Sequence, residues 1–262
     1  LAADELDALI TPRTKLIAFP HASNVIAHIN PVREIAAKAH KAGAIVAVDG
    51  VSYAPHGLPD IAQLDADIYL FSLYKTWGPH LGAMFVKRAL MKQMTNQSHY
   101  YNGDEAHYCL TPAGPDHAQI AAAAGVAEYL DVVYAHHFDD DPESAVKGRR
   151  LHQLFSDYEC SLLTPLLDFL KTRNDVFIVG PDDAGIRAST VTILPLDKPV
   201  PAVVAELEKQ KLMVASGDFD GVRQLDDMKI DSDPGVIRMS LLHYTTRDEI
   251  DQLISGLTIA LE

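Results

Sequence analysis

The chain has 262 residues, 48% of them apolar, so it can fill one large or two medium hydrophobic cores, and intrinsic disorder is excluded. With 22 basic and 36 acidic side chains the formal net charge is −14, which sets the protein against phosphate backbones and anionic lipid surfaces. No nucleic-acid or membrane partner is therefore expected, and the apolar runs break well short of the roughly 18 residues a membrane span requires.

The first ten residues read as part of an amphipathic helix with acids at Asp4, Glu5 and Asp7, unlike the basic start of a secretory signal. No targeting segment is expected, and because the chain opens on Leu1 instead of Met, the natural protein is expected to extend upstream. A strand over Lys15–Pro20 leads to a helix with Asn30 as N-cap, Pro31 at its first position, Val32, Ile35, Ala36 and Ala39 on one face, and Gly43 as its stop. Ala44–Val48 follows as a continuous apolar run, the pattern of a strand buried in a parallel sheet, and completes a βαβ unit. Two further strands, Asp67–Ser72 and Ala83–Lys87, flank the glycine-rich turn Gly78–Gly82, and the whole reads as a doubly wound α/β domain.

An alanine-rich helix is predicted from Asp116 to about His136, then an acidic hinge at Phe138–Asp141 and a long helix to about Leu170. That hinge sets the expected domain boundary: residues 1–140 form the larger domain, and residues 141–262 a smaller α+β domain. The smaller domain reads as strands at Val176–Val179 and Ser189–Leu194, a helix at Val200–Lys211, strands at Leu212–Ala215 and Val236–Leu241, and a final helix. That last helix opens on a capping box, Thr246 with Glu249, and buries a stripe of Ile250, Leu253, Ile254 and Leu257. Cys109 and Cys160 are too few and too isolated for a disulfide framework or a zinc site, which fits free thiols in a reducing cytoplasm. His136 and His137 lie beside Asp139, Asp140 and Asp141, but adjacent histidines on a helix point apart, so no metal site is expected.

Asp49 ends a buried parallel strand, at the sheet edge where ligands of open α/β sheets bind, although Asp49-Gly50 also reads as a simple turn. Lys75 follows the apolar strand Ile68–Phe71 at the same kind of edge, where a solvated lysine is the alternative. Together they form the pair that pyridoxal phosphate chemistry needs: an amine to hold the cofactor aldehyde and a carboxylate to keep the pyridine nitrogen protonated. Ser72 is placed to donate to the phosphate. Five stretches, His21–Val25, Asp49–His56, Leu64–Ser72, Lys75–Gly82 and Val236–Asp251, resemble the class V aminotransferases of PLP fold type I, which include cysteine desulfurases and selenocysteine lyases.

The resemblance implies an α/β fold: a mostly parallel large-domain sheet with helices on both faces, plus a smaller C-terminal α+β domain. It implies pyridoxal 5'-phosphate held covalently by Lys75, paired with Asp49, and approached by Asn24 and Ser52, with Ser72 and Tyr74 on the phosphate. Arg238 would hold the carboxylate of an amino-acid substrate, with Asn24 nearby; a structural ion pair is the alternative for Arg238. A homodimer with active sites near the interface is also implied. Four positions depart from the family pattern. Ser52 stands where many relatives have glutamine, Tyr74 where desulfurases have histidine, and Pro115 where relatives have a threonine that reaches the partner's phosphate; the segment Leu212–Gly221 contains no cysteine. The expected function is therefore a PLP enzyme acting on an amino acid by transamination or by a carbon-sulfur or related β-elimination without a persulfide. A cysteine desulfurase or selenocysteine lyase proper, and a catalytically inactive scaffold of the same fold, are the alternatives. A phospho-acceptor domain is disfavoured because the first strand is followed by His21-Ala-Ser-Asn24, not by an acidic pair.

Overall fold

The computed structural model describes residues 3–103, 105–111 and 114–262. The chain forms two compact units that are not contiguous in sequence: Leu1–His21 with Asn30–Leu151, and Ala22–Ile29 with His152–Glu262. The changeover falls inside a helix after Leu151, beyond the acidic hinge at 138–141, and the short segment 22–29 folds with the C-terminal residues.

In the first unit the strands are β1 (Leu16–Pro20), β2 (Ile45–Asp49), β3 (Ile68–Ser72) and β4 (Gly82–Val86), in that spatial order. The first three run parallel and β4 returns antiparallel to β3. Helix α1 (Val32–Lys41) buries Val32, Ile35, Ala36 and Ala39 against Phe19, Val46, Val48 and Tyr69 on one face of the sheet. Each fully buried aliphatic side chain there contributes about 1.5–3 kcal/mol. Alternation along the strands puts Leu16, Leu70 and Met84 on the opposite face, where all three are exposed. The unit continues through the short helices α2 (Ile61–Leu64) and α3 (Arg88–Met91), then α4 (His117–Ala122), α5 (Ala124–His137) and the start of α6 (Ser144–Lys171).

In the second unit β5 (Val176–Ile178), β6 (Thr190–Pro195), β7 (Ala215–Gly217) and β8 (Val236–Ser240) form an antiparallel sheet in the order β5-β6-β8-β7. The later part of α6, with α7 (Val200–Lys209) and α9 (Arg247–Leu261), packs Leu162, Leu166, Val203, Leu207, Leu253 and Leu257 into one core with Val191, Ile193 and Ile237. The short helix α8 (Val222–Asp227) contributes Leu225 to a separate small core with Val25, Val179 and Val236.

Local signals account for most of these elements, and the exceptions have identifiable causes. The capping box of α9 forms as expected, with the Glu249 amide donating to Thr246 Oγ1 and the Thr246 amide to Glu249 Oε2. Asn30 is not the residue at which α1 is capped: Pro31 holds the N-cap position, and the Asn30 side-chain amide donates to Pro20 O at 2.7 Å, drawing it to the end of β1. The alanine-rich helix is two helices, α4 and α5, meeting at Ala123. The strand expected over 212–215 begins only at Ala215, because the Leu212 amide closes the end of α7 by donating to Leu207 O at 3.1 Å, after Lys211 turns the chain at a left-handed φ of 62°. Residues 1 and 2 of the expected N-terminal amphipathic helix lie outside the described residues; Ala3–Ala8 form a 3-10 turn.

At the edge of the first sheet remote from Asp49, Asp67 binds four elements together. Its Oδ2 accepts from the Val46 amide and from His40 Nε2, both at 2.8 Å, and Lys87 Nζ lies 2.9 Å from its Oδ1. Burial pushes the Asp67 carboxyl up, but the Val46 amide, Lys87 and His40 outweigh it and hold it below the ordinary carboxylate range. A depressed folded-state value means that the unfolded chain binds the proton more readily, so this contribution is complete above about pH 4 and is lost as pH falls through the folded-state value. Asp67→Asn keeps an acceptor for the Val46 amide and removes the charge. The substitution should cost about 1–3 kcal/mol at neutral pH, measured by urea unfolding, with the difference from wild type shrinking below pH 4.

Candidate active site

The parallel pairing of β2 with β3 sets Asp49 opposite Leu70, and the Gly50 amide extends the ladder by donating to Leu70 O at 2.7 Å. Because side chains alternate, Asp49 and Ser72 project on the same face of the sheet at its carboxyl edge. Val51 N donates to Asp49 Oδ1 at 2.9 Å, and among the described residues no hydrogen bond engages Oδ2. Ser52 lies half-buried in the turn that follows, where the Tyr53 and Ala54 amides both donate to Gly50 O. After Ser72 the chain makes a 3-10 turn, Leu73–Thr76, closed by Trp77 at a left-handed φ of 63°. The fully buried Thr76 pins this turn through its hydroxyl on Leu73 O, leaving Lys75 half-buried and the Tyr74 ring stacked on His80 at 4.8 Å.

Beneath this edge lies an aromatic cluster that the sequence reading did not single out. His21 stacks on Tyr53 with ring centroids 3.5 Å apart, and its Nδ1 is 2.9 Å from Tyr69 Oη. The His21 amide donates to Asp49 O at 2.7 Å. Burial first, then the proximity of Tyr53 and the Asp49 carboxylate, push the Tyr69 phenol far up, and burial raises Tyr53 as well, so both stay neutral. A β-carbon at Gly50 would fall inside the Tyr69 ring, which is why glycine follows Asp49.

The second unit gathers a different set of groups. Arg238 sits in the middle of β8, in register with Thr192 of β6 and Ala215 of β7. Its guanidinium lies over the Phe219 ring, 3.9 Å from the centroid, and Nη1 donates to Asn24 O at 3.1 Å. The Asn24 side-chain amide in turn donates to Phe219 O at 2.7 Å, closing a three-residue loop of contacts. Phe219 and Asp220 both adopt left-handed backbone, at φ 53° and 61°, which costs a bulky residue about 1–3 kcal/mol. Burial lowers the Arg238 pKa from its ordinary value, although an arginine remains charged near neutrality. Nearby, buried Arg187 is spent on backbone carbonyls, those of Pro181 and Thr190, and burial brings it down to about 10.

Of the residues singled out in the sequence, Asp49, Ser52, Ser72, Tyr74 and Lys75 thus share one sheet edge in the first unit, and Asn24 and Arg238 touch in the second. Their chemistry suits pyridoxal phosphate: Asp49 presents a carboxylate oxygen that no hydrogen bond engages among the described residues, as a protonated ring nitrogen requires, and Lys75 supplies an amine beside two hydroxyl-bearing residues. His21 and Tyr69 lie in stretches that carry the resemblance, but the sequence assigns no role to them or to Phe219. Phe219 falls in the segment 212–221, which the resemblance matches to the family's active-site loop and which contains no cysteine.

The class V aminotransferase family model matches residues 1–253, and the chain belongs to that family, whose members depend on pyridoxal phosphate. Its relatives include an aminotransferase-like protein of Gibberella zeae, 31% identical over all of this chain and 63% of the relative. Another is a cysteine desulfurase-like protein of Aspergillus flavus, 30% identical over 98% of this chain and 57% of the relative. Among solved structures, the cysteine desulfurase CsdA of Escherichia coli superposes with a TM-score of 0.80 at 25% identity, over 99% of this chain and 62% of that one. The chain thus spans less than two thirds of the length of each of these proteins. The architecture is accordingly α/β, of PLP fold type I, with an α+β C-terminal portion. Among the described residues no helix is long and apolar enough to cross a membrane.

The Gly50 contact can be tested by itself. Gly50→Ala should destabilise the first unit by about 1–3 kcal/mol through overpacking against the Tyr69 ring. In a double-mutant cycle followed by urea unfolding, Tyr69→Ala should absorb most of that penalty, giving a coupling of at least about 0.5 kcal/mol.

Proposed function

We propose that the protein is a PLP-dependent enzyme acting on an amino acid, with Lys75 and Asp49 as its catalytic pair. The observation that carries this reading is the pairing of β2 with β3, which brings the Asp49 strand end and the Lys75 turn to one sheet edge. In this reading residues 1–140 are part of the large cofactor-binding domain and residues 141–262 form the small domain. When bound, pyridoxal phosphate supplies the electron sink that stabilises negative charge at the substrate's α-carbon. Asp49 Oδ2 would accept from the ring nitrogen and favour its protonated form. Lys75 Nζ would hold the cofactor and serve as the general base for the α-proton. Ser72 and Tyr74 would donate to the phosphate, and Ser52 and Asn24 would lie toward the cofactor. Arg238 grips the substrate carboxylate, its fixed fork giving one orientation to the α-carbon, with Asn24 beside it.

The reaction branch that fits is transamination, or a carbon-sulfur or related β-elimination that needs no persulfide. Desulfuration requires a thiolate that can reach the substrate's sulfur. Cys109 is buried, with Sγ 3.8 Å from Thr95 O and 3.9 Å from Met94 O, and Cys160 lies within α6. The segment 212–221 offers no thiol. The two free thiols and the acidic surface agree with a cytoplasmic protein, and the family resemblance with a homodimer whose active sites lie near the interface.

Borohydride reduction of the protein loaded with pyridoxal phosphate, followed by peptide mapping, should place the pyridoxyl group on Lys75, and Lys75→Arg should lower turnover by about a hundredfold or more. A pyridoxyl group on another lysine, or none at all, defeats the assignment, and none at all would favour the inactive scaffold. Replacing both Cys109 and Cys160 with serine should leave turnover within about twofold of wild type, since neither thiol enters the chemistry. Loss of activity in that double variant with the cofactor still bound would instead restore the desulfurase alternative.

A further inference from the structure

We infer that Phe219 is a positioning residue for the substrate carboxylate, acting through Arg238; this rests on the reading of Arg238 as the carboxylate anchor. One face of the guanidinium is covered by the Phe219 ring at 3.9 Å, and its Nη1 is held by Asn24 O at 3.1 Å. Among the described residues no hydrogen bond engages Arg238 Nε or Nη2, and no carboxylate pairs with it. The side chain is therefore fixed by an aromatic face and one neutral carbonyl, which leaves an edge of the fork, with the full positive charge, for a bidentate anion. Phe219 is itself fixed at both ends. Its carbonyl receives the Asn24 amide, and its ring packs beside the small core formed by Val25, Leu225 and Val236.

The left-handed φ of 53° at Phe219 is part of the same device, because a large side chain occupies a backbone conformation that glycine would take more easily. A turn that needed only to reverse the chain would not require an aromatic there. With a leucine in its place the guanidinium would keep its neighbouring carbonyl and lose the platform, so it would sample more orientations. The ligand recognised is an α-amino acid through its free carboxylate, as opposed to an amine, ester or amide lacking that charge.

The test uses two probes, L-alanine and L-alaninamide, titrated into the protein loaded with pyridoxal phosphate and followed by its visible absorbance. A second reading, phenylglyoxal modification of Arg238 measured by peptide mass spectrometry, needs no ligand. Phe219→Leu should raise the apparent Kd for L-alanine about three- to tenfold, change that for L-alaninamide less than about twofold, and speed modification of Arg238. Phe219→Tyr, which keeps the aromatic face, should behave as wild type, and Phe219→Met serves if the leucine variant does not fold. Equal weakening of both probes with unchanged Arg238 reactivity would mean that Phe219 is merely structural and would overturn the inference. Arg238→Gln separates the two layers: it should abolish the preference for L-alanine over L-alaninamide. If it does so while Phe219→Leu has no effect, the role of Phe219 alone falls; if the preference survives in Arg238→Gln, the carboxylate reading falls and takes this inference with it.

Discussion

The hydrogen bond from the Gly50 amide to Leu70 O ends the pairing of β2 with β3, and the candidate chemistry of that unit depends on it. It carries the β2–β3 ladder one residue past Asp49, so the carboxylate leaves the sheet at a defined height beside the end of β3. The chain can make this bond only because residue 50 has no side chain, the space being filled by the Tyr69 ring. Tyr69 is in turn oriented by His21, which stacks on Tyr53 and donates its own amide to Asp49 O. Backbone pairing, aromatic packing and the carboxylate are thus consecutive links, and burial keeps the Tyr53 and Tyr69 phenols of the cluster neutral.

The second unit achieves a comparable placement by different means. Segment 22–29 has no regular secondary structure, yet it is fastened along its length: Val25 O accepts from Thr192 Oγ1 at 2.6 Å, and Ala27 O accepts from the Ala188 amide at 2.8 Å. Gly180 and Gly221 leave room for Ile26 and Val25, so the segment sits where side chains at those two positions would stand. Val25 is fully buried in the small core with Leu225 and Val236. Asn24 is therefore carried on an irregular segment fastened through its neighbours, and from there it touches Phe219 and Arg238.

This difference explains how much could be read in advance. The βαβ unit, the Asp49 strand end and the α9 capping box are written in residues a few positions apart, where helix periodicity and capping chemistry act. The family motifs around Lys75 and Arg238 are likewise local. The contacts of Asn24 with Phe219 and Arg238 join residues 195 and 214 positions apart, and no periodicity encodes them. His21 with Tyr69, 48 apart, is the same case. Asn30 shows the converse: it has the right residue type for a helix cap, but the end of β1 offers a carbonyl that its amide takes instead. A local propensity worth about 1 kcal/mol yields to a tertiary hydrogen bond of similar size once the strand has fixed the geometry.

The charged residues divide by the kind of partner that holds them. Asp67 and Asp65 meet Lys87 and His40, Asp60 meets Arg149, Asp140 meets Arg150, and Asp175 meets Arg173. In each of those groups a carboxylate lies within salt-bridge distance of a cationic side chain, and the contact fastens secondary structure. Asp49 and Arg238 are held differently, Asp49 by a backbone amide and Arg238 by a backbone carbonyl and an aromatic face. Neutral dipoles orient a charge without neutralising it, so the field of each group remains available to an incoming ion of opposite sign. Removing a residue from the first group therefore leaves a stranded partner charge and costs stability, whereas changing the neutral supports of the second alters orientation first. The strained backbone at Phe219 fits the second pattern, since the fold sustains an unfavourable φ to keep a neutral support beside a charge that no carboxylate of the described residues pairs.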